Sequence, residues 1–321
     1  MKCKDLGFTD WFQEKYEEFQ QPDYSIVRIV AVNKDNFIIR NPKSEIPAEV
    51  TGKILFGAES NLDLPCVGDW VQVKYYNNNT LAIIHQVLPR KSLLKRKTAG
   101  KRIDYQPIAA NIDTAFIIQS VDNNFNLPRL ERYLVMVNES DISPVLLLSK
   151  SDLLSNHTIN QRIMEVKQSN PHYKILAFSN KTEQGLDEIK SILKTGVTYC
   201  LLGSSGVGKT TLLNKLIGKN SFATSAVREK DGKGIHVTAR RQLILLKQGG
   251  LIIDNPGMRE LGNFDIDSGI KETFNEIILL SKQCHFKNCT HINEPGCSVL
   301  KAVEKGELNK KRYQNYLKIL K

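Results

Sequence analysis

The sequence predicts an α/β fold: a domain with a mainly parallel sheet, preceded by a small β-barrel and followed by a short helical segment that carries a cysteine cluster. Three observations predict it. β-branched and aromatic runs separated by Asn-rich turns fill residues 24–95, and strand-like and helical runs alternate from residue 108 onward. Three of the six cysteines then fall in one stretch, at Cys284, Cys289 and Cys297. The implied division is 1–105 for an N-terminal extension and barrel, 106–265 for the α/β domain, and 266–321 for the C-terminal domain.

In the first part, YSIVRIVAV, NFIIR, WVQVKYY and TLAIIHQVL read as strands, with Asn-Lys-Asp-Asn and Asn-Asn-Asn turns between them. About five strands in this length suit an OB-fold, and an SH3-like barrel fits nearly as well. A basic stretch without an acid follows: Arg90, Lys91, Lys95, Arg96, Lys97, Lys101 and Arg102. It reads as a linker or a nucleic-acid-facing loop. Beyond it, TAFIIQ, PVLLLS, KILAFS, TYCLLG and GLIID alternate with helical runs such as LPRLERYLVMVNES and GLDEIKSILK.

TYCLLGSSGVGKTTLLNKLIG contains the phosphate-loop pattern G-x-x-x-x-G-K-S/T at Gly203, Gly208, Lys209 and Thr210. A strand precedes it and a helical pattern follows, so backbone N–H groups from Gly203, Ser204, Ser205, Gly206, Val207, Gly208, Lys209, Thr210 and Thr211 are placed to curl around phosphates. Lys209 would reach the β- and γ-phosphates, and the Thr210 hydroxyl would ligate Mg²⁺. Asp254-Asn255-Pro256-Gly257 ends a second strand; Asp254 suits the Mg²⁺ shell and the Gly257 N–H suits the γ-phosphate. Between the two lies REKDGKGIHVTARRQ, a basic, glycine-broken segment with the character of a nucleotide-sensing switch. Thr238 is its expected second Mg²⁺ hydroxyl.

A guanine-specific site needs an N/T-K-x-D-like motif, because a buried Asp accepts from guanine N1–H and its exocyclic amine and rejects adenine. After Asp254 the only NK is Asn309-Lys310-Lys311-Arg312, which has no Asp. Before the phosphate loop, however, PVLLLSKSDLL ends a strand at Ser149-Lys150-Ser151-Asp152. KILAFSNKTEQGL ends another at Ser179-Asn180-Lys181, where a backbone N–H can meet the guanine carbonyl. The base-binding loops therefore precede the phosphate-binding loops, and the domain reads as circularly permuted, a rearrangement that compact domains with adjacent termini tolerate.

Cys284, Cys289, His291 and Cys297 offer three sulfurs and one imidazole, a closed tetrahedral set for one structural Zn²⁺. His285 is adjacent and an alternative ligand, but the Cys-x-His spacing favours His291. The net charge of +11 and pI near 9.2 favour a polyanionic partner. MKCKDLGFTDWF has no apolar core of a secretory signal, and no apolar run is long enough to cross a bilayer. A cytoplasmic monomer with reduced cysteines and no membrane contact is the expectation.

VGDWVQV, ANIDTAFIIQS, SKSDLL, GSSGVGKTTLLN, GIHVT, IIDNPGMREL and CHFKNCTHINEPGCSVL, in that order, resemble the ribosome-small-subunit-dependent GTPase A family (RsgA, also called YjeQ) over nearly the whole chain. The resemblance implies a permuted GTPase domain between an OB-fold and a zinc domain. It also implies GTP hydrolysis stimulated by the small ribosomal subunit and a role in late maturation of that subunit, in contact with its rRNA. Two positions depart from the family pattern. Ser149 replaces the usual Asn or Thr, which puts one brace of the guanine pocket in question, and Val237 replaces a frequent threonine, which moves the switch hydroxyl to Thr238.

Many GTPases place the attacking water with a Gln after the glycine of the second phosphate motif; here Met258 stands there, so unaided hydrolysis is expected to be slow. His236 is the intrinsic candidate for orienting the water, with a plain loop histidine as the alternative. Arg240 and Arg241 suit RNA better than phosphate. Two functional classes follow: a GTPase timed by ribosomal RNA, and an RNA-binding assembly factor for which bound GTP or GDP is only a switch ligand.

Overall fold

The computed structural model describes residues 2–18, 22–33, 36–97, 105–218, 241–254, 270–271 and 273–320. Strands β1 (Ser25–Val32), β2 (Phe37–Arg40), β3 (Glu45–Val50), β4 (Trp70–Tyr76) and β5 (Leu81–Val87) form a barrel in the order β1-β2-β3-β5-β4, closed by β4 on β1. β3 and β5 pair parallel and the other neighbours antiparallel. That connectivity is the OB-fold, which decides between the two barrels the sequence allows. Period-two alternation turns Val27, Ile29, Ile39, Ile46, Ala48, Val71, Val73 and Ile84 into one buried cluster. The N-terminal extension lays Leu6, Phe8 and Phe12 against Trp70, with the Phe8 and Trp70 rings edge-to-face at 4.8 Å.

Over its described residues, Arg90 to Lys97, the basic stretch is neither a linker nor an open loop. Arg90 is turned inward: Nε and Nη2 each donate at 2.7 Å to the carboxylate of Asp69, which is fully buried, and its other donors meet the Leu62 and Leu64 carbonyls. Lys91 lies over the Trp11 and Phe12 rings and donates to Thr9. Lys95, Arg96 and Lys97 belong to strand β6 (Leu93–Lys97), which pairs antiparallel with β7 (Tyr105–Ala110), and Arg96 holds Gln106 across that pair. Lys101 and Arg102 lie outside the described residues.

The second sheet runs β10 (Lys174–Ala177), β9 (Ser143–Ser149), β8 (Thr114–Ser120), β11 (Thr198–Leu202), β13 (Leu251–Asp254), β12 (Arg241–Leu245). All neighbours are parallel except β12, which is antiparallel to β13. The near-continuous apolar strands are covered on both faces, as parallel sheets require. Helices α1 (Asp10–Glu17) and α2 (Gly52–Gly57) precede this sheet in the chain. Alternate residues Ala115, Ile117, Leu146, Leu148 and Cys200 face α3 (Leu127–Glu139) through Leu130, Leu134 and Val137, and the same cluster takes in Val166 of α4 (Asn156–Ser169). The intervening Phe116, Ile118, Leu147, Tyr199 and Leu201 join a second cluster with Ile189 of α5 (Leu186–Ile192) and Leu212 and Leu216 of α6 (Lys209–Ile217).

Barrel and sheet are joined by backbone pairing, since Ala31 and Val32 of β1 oppose Gln242 and Arg241 of β12. Arg28 reinforces the joint. It is buried and donates to the carbonyls of Leu6, Gly68 and Asn111, so one guanidinium ties the extension, the barrel and the start of the α/β unit. Its pKa is lowered to about 10 by burial, which leaves it charged at neutral pH.

The C-terminal helices Asn275–Ser281, Ser298–Glu304 and Lys310–Ile319 pack Phe274, Ile277, Val299, Tyr313 and Tyr316 around Val135 of α3. Asn309 caps the last helix by accepting from the Lys311 and Arg312 N–H groups, which gives that NK pair a structural job unrelated to guanine. Arg312 is buried and donates to Glu131 of α3 (2.6 Å), to Glu276 and to the Thr273 carbonyl (2.6 Å). Among the described residues no helix is long and apolar enough to cross a membrane.

Candidate nucleotide and metal sites

The phosphate loop leaves the carboxyl end of β11 and enters α6, with Gly203, Gly206 and Gly208 at φ of +146°, +77° and +92°. A Cβ on Gly203 would sit 2.3 Å from the Ile118 carbonyl and one on Gly208 2.6 Å from Asn180 Nδ2, so both conformation and space demand glycine. Ser204, Ser205 and Gly206 form the open rim, Val207 is buried beneath it, and Thr210 and Thr211 stand part-exposed in the first turn of α6. The Lys209 ammonium folds over the loop, donating to the Gly203 carbonyl at 2.7 Å and the Ser204 carbonyl at 2.6 Å. A cation placed there, above a ring of N–H groups at a helix start, fits a polyphosphate.

Both base-side loops are bonded to this loop. Ser149, fully buried at the end of β9, donates through Oγ to the Val207 carbonyl at 2.8 Å. The brace that the departure from Asn or Thr put in question is therefore made. Asn180 donates through Nδ2 to the Gly208 carbonyl at 3.1 Å. Lys150 adopts a left-handed backbone (φ +61°), which turns the chain so that Asp152 comes back toward the β10 end, where Ser179 Oγ donates to its Oδ1 at 2.5 Å. Ser179 Oγ also accepts from the N–H groups of Lys181 and Thr182, and the Ser179 N–H bonds to Gln184.

Asp254 ends β13, beside β11 in parallel register, with Cys200 opposite Ile253. Thr210, in the first turn of α6, and Asp254 thus follow the carboxyl ends of two paired strands, β11 and β13. His236, Thr238 and Gly257 lie outside the described residues.

Sequence reading missed the turn after β8. Asp122 accepts from Lys150 Nζ at 2.8 Å, and Asn124 donates to Ser204 Oγ at 3.2 Å. The Lys150 ammonium, aided by Ser120 and the Asn124 N–H, holds the Asp122 carboxyl down at about 2. The available signal was topological: VDNNF follows a central parallel strand at its carboxyl end, where open α/β sheets place ligand-contacting loops.

The ligand atoms of Cys284, Cys289, His291 and Cys297 all lie within 4.8 Å of one another. Individual edges are 3.6 Å (Cys284 Sγ to His291 Nδ1), 3.5 Å (Cys297 Sγ to His291 Nδ1) and 3.8 Å (Cys284 Sγ to Cys297 Sγ). A tetrahedral ion with bonds of about 2.3 Å to sulfur and 2.0–2.1 Å to nitrogen requires edges of about 3.8 Å and 3.6 Å. The cluster could hold such a metal. Burial raises the Cys284 thiol, but the Ser298 and Val299 N–H groups outweigh it and leave the pKa below its ordinary value. The group that could hold a metal contains His291 and not His285, whose ring lies edge-to-face on Phe286. Tyr313 donates to the His291 carbonyl at 2.6 Å and so fixes the ligand loop to the last helix.

A parallel sheet whose strand ends join a phosphate loop to an S-K-x-D base loop, with the base half first in the chain, defines a circularly permuted P-loop GTPase. The chain belongs to the RsgA GTPase family, whose sequence profile matches residues 87–264. It is 42% identical over 293 residues to the small ribosomal subunit biogenesis GTPase RsgA 2 of Lactiplantibacillus plantarum, covering 91% of this chain and 81% of that one. It is 36% identical over 318 residues to the RsgA 2 of Vibrio parahaemolyticus, covering 99% and 85%. The solved structure of YjeQ from Thermotoga maritima superposes with a TM-score of 0.68 at 28% identity, over 92% of this chain and 97% of that one. YloQ, itself described as a circularly permuted GTPase, superposes at 0.66 with 25% identity, over 94% and 95%.

Proposed function

We propose that this chain is a cytoplasmic, monomeric GTP hydrolase that binds the small ribosomal subunit and its rRNA and acts in late maturation of that subunit. One observation carries the nucleotide half: Ser149 and Asn180, from the loops before the phosphate loop, are bonded to its carbonyls at Val207 and Gly208. That supports reading base and phosphate loops as one pocket. The names of the relatives, small ribosomal subunit biogenesis GTPases, support the partner.

In this reading Asp152 accepts from guanine N1–H and the exocyclic amine, with Ser179 fixing its orientation, while the Asn180 N–H meets the guanine carbonyl. The backbone of 203–211 and Lys209 hold the phosphates. Thr210, Thr238 and Asp254 would hold Mg²⁺, which neutralises charge between the β- and γ-phosphates when bound. Gly257 senses the γ-phosphate and His236 orients the water. Cys284, Cys289, His291 and Cys297 would hold one Zn²⁺, and four protein ligands would give it a structural role in folding this segment rather than a part in hydrolysis. We divide the chain after residues 105 and 265, with the β6–β7 pair bridging the first junction.

The base assignment is tested by Asp152→Asn, which exchanges one acceptor oxygen for a donor. Affinity should fall for GTP and rise relative to it for XTP, by about two orders of magnitude in the ratio. A variant that binds GTP as tightly as the wild type refutes the permuted assignment.

A further inference from the structure

We propose that Asp122 and Asn124, in the turn between β8 and α3, are positioning residues that align the two halves of the nucleotide pocket and so set guanine-nucleotide affinity. The inference rests on the pocket reading above, and it concerns residues outside the motifs that define that pocket.

The base motif at 149–152 and the phosphate loop at 203–211 lie apart in sequence, and this turn touches both. Asp122 Oδ2 accepts from Lys150 Nζ at 2.8 Å, while Asp122 Oδ1 accepts from Ser120 Oγ at 2.8 Å and from the Asn124 N–H at 3.0 Å. Those two bonds fix the carboxylate relative to the turn itself. Asn124 then reaches the other half, with Nδ2 donating to Ser204 Oγ at 3.2 Å. The turn is held from behind: the Asn124 carbonyl accepts from Gln119 Nε2 at 2.6 Å and from Arg129, which also reaches Asn124 Oδ1 at 3.0 Å. Arg129 lies in the first turn of α3, capped by Asn126.

The chemistry explains why such a device is useful. Lys150 is a long side chain next to the base-reading Asp152, and free it would sample many rotamers. An anion at a fixed point removes that freedom before a nucleotide arrives, so less ordering entropy opposes binding. The Lys150–Asp122 pair is partly exposed (36% and 25% of the side chains), so its contribution to fold stability is small. Its effect therefore falls on binding. Neither residue is placed to touch the reacting phosphate, so hydrolysis of bound GTP should be nearly indifferent to it.

The test uses the full chain. Dissociation of fluorescent GDP and of a non-hydrolysable GTP analogue is timed for wild type, Asp122→Ala, Asp122→Asn and Asn124→Ala, alongside melting of each nucleotide-free protein. Asp122→Ala should release both nucleotides about threefold to tenfold faster, with KM rising and kcat moving less than about twofold. Asp122→Asn keeps an acceptor for Ser120 and the Asn124 N–H but loses the anion, and should fall between the two. Asn124→Ala should speed release without changing discrimination between GTP and XTP. The inference is overturned if release is unchanged in both alanine variants. It is equally overturned if faster release tracks a lower melting point of the nucleotide-free protein with no recovery in Asp122→Asn. A wild-type chain that binds no guanine nucleotide refutes the pocket reading, and this inference with it.

Discussion

Arg90 and Lys209 are both cations, yet they face different ways for reasons that their neighbours supply. Lys209 follows a glycine loop at a helix start, and its pattern announces its direction. Arg90 sits in a run of basic residues that reads as solvated or RNA-facing, but Asp69, distant in sequence, is buried without solvent and needs a bidentate cation. Removing that partner strands a buried carboxylate. Arg90→Ala should therefore destabilise the fold by about 3 kcal/mol, whereas neutralising a solvated arginine would change stability by at most about 0.5 kcal/mol. Urea unfolding distinguishes the two, and a midpoint unchanged from wild type would return Arg90 to the surface. Ser149 makes the complementary point. Its identity raised doubt about the guanine pocket, but a fully buried hydroxyl 2.8 Å from the Val207 carbonyl braces the loop with a single donor.

At the level of elements, the strands with uninterrupted apolar or alternating runs were legible, among them β1, β4, β8, β9 and β11. β3 was not, because Pro47 and the glutamates Glu45 and Glu49 disguise it; the proline is tolerated since pairing with β5 begins only at Ala48. β6 was hidden by its charges and β12 by the basic segment before it. The metal cluster was legible from spacing, while its attachment was not. Arg312 and Tyr313, neighbours on the last helix, reach Glu131 and the His291 carbonyl, both distant in sequence, and together fasten the ligand loop to α3. Burial pushes the Glu131 carboxyl above its ordinary range even with Arg312 beside it, so this joint depends on the helices that bury it staying folded. Freshly purified, reduced protein should contain about one Zn²⁺ per chain, and chelation should expose the amides of 284–319 to hydrogen exchange while nucleotide binding persists. Metal analysis without zinc, or exchange unchanged on chelation, contradicts the assignment.

Across the whole molecule, the permutation has a mechanical consequence. The barrel's β1 pairs with β12, which follows the switch-like segment, and the C-terminal unit rests on α3, which follows the turn beside the pocket. Both flanking units are thus attached next to segments we propose contact the nucleotide. The surplus of positive charge, +11 overall, suits a large polyanion, while Arg90 is turned inward onto Asp69 and Lys91 is packed over the Phe12 ring. The most direct test is GTP turnover by wild type and His236→Ala, each with isolated small ribosomal subunits, with large subunits and with neither. The account predicts slow turnover alone, strong stimulation of wild type by small subunits only, loss of that stimulation in His236→Ala, and a fall in stimulation as salt rises. Equal turnover in all three conditions, or equal stimulation by large subunits, would contradict it.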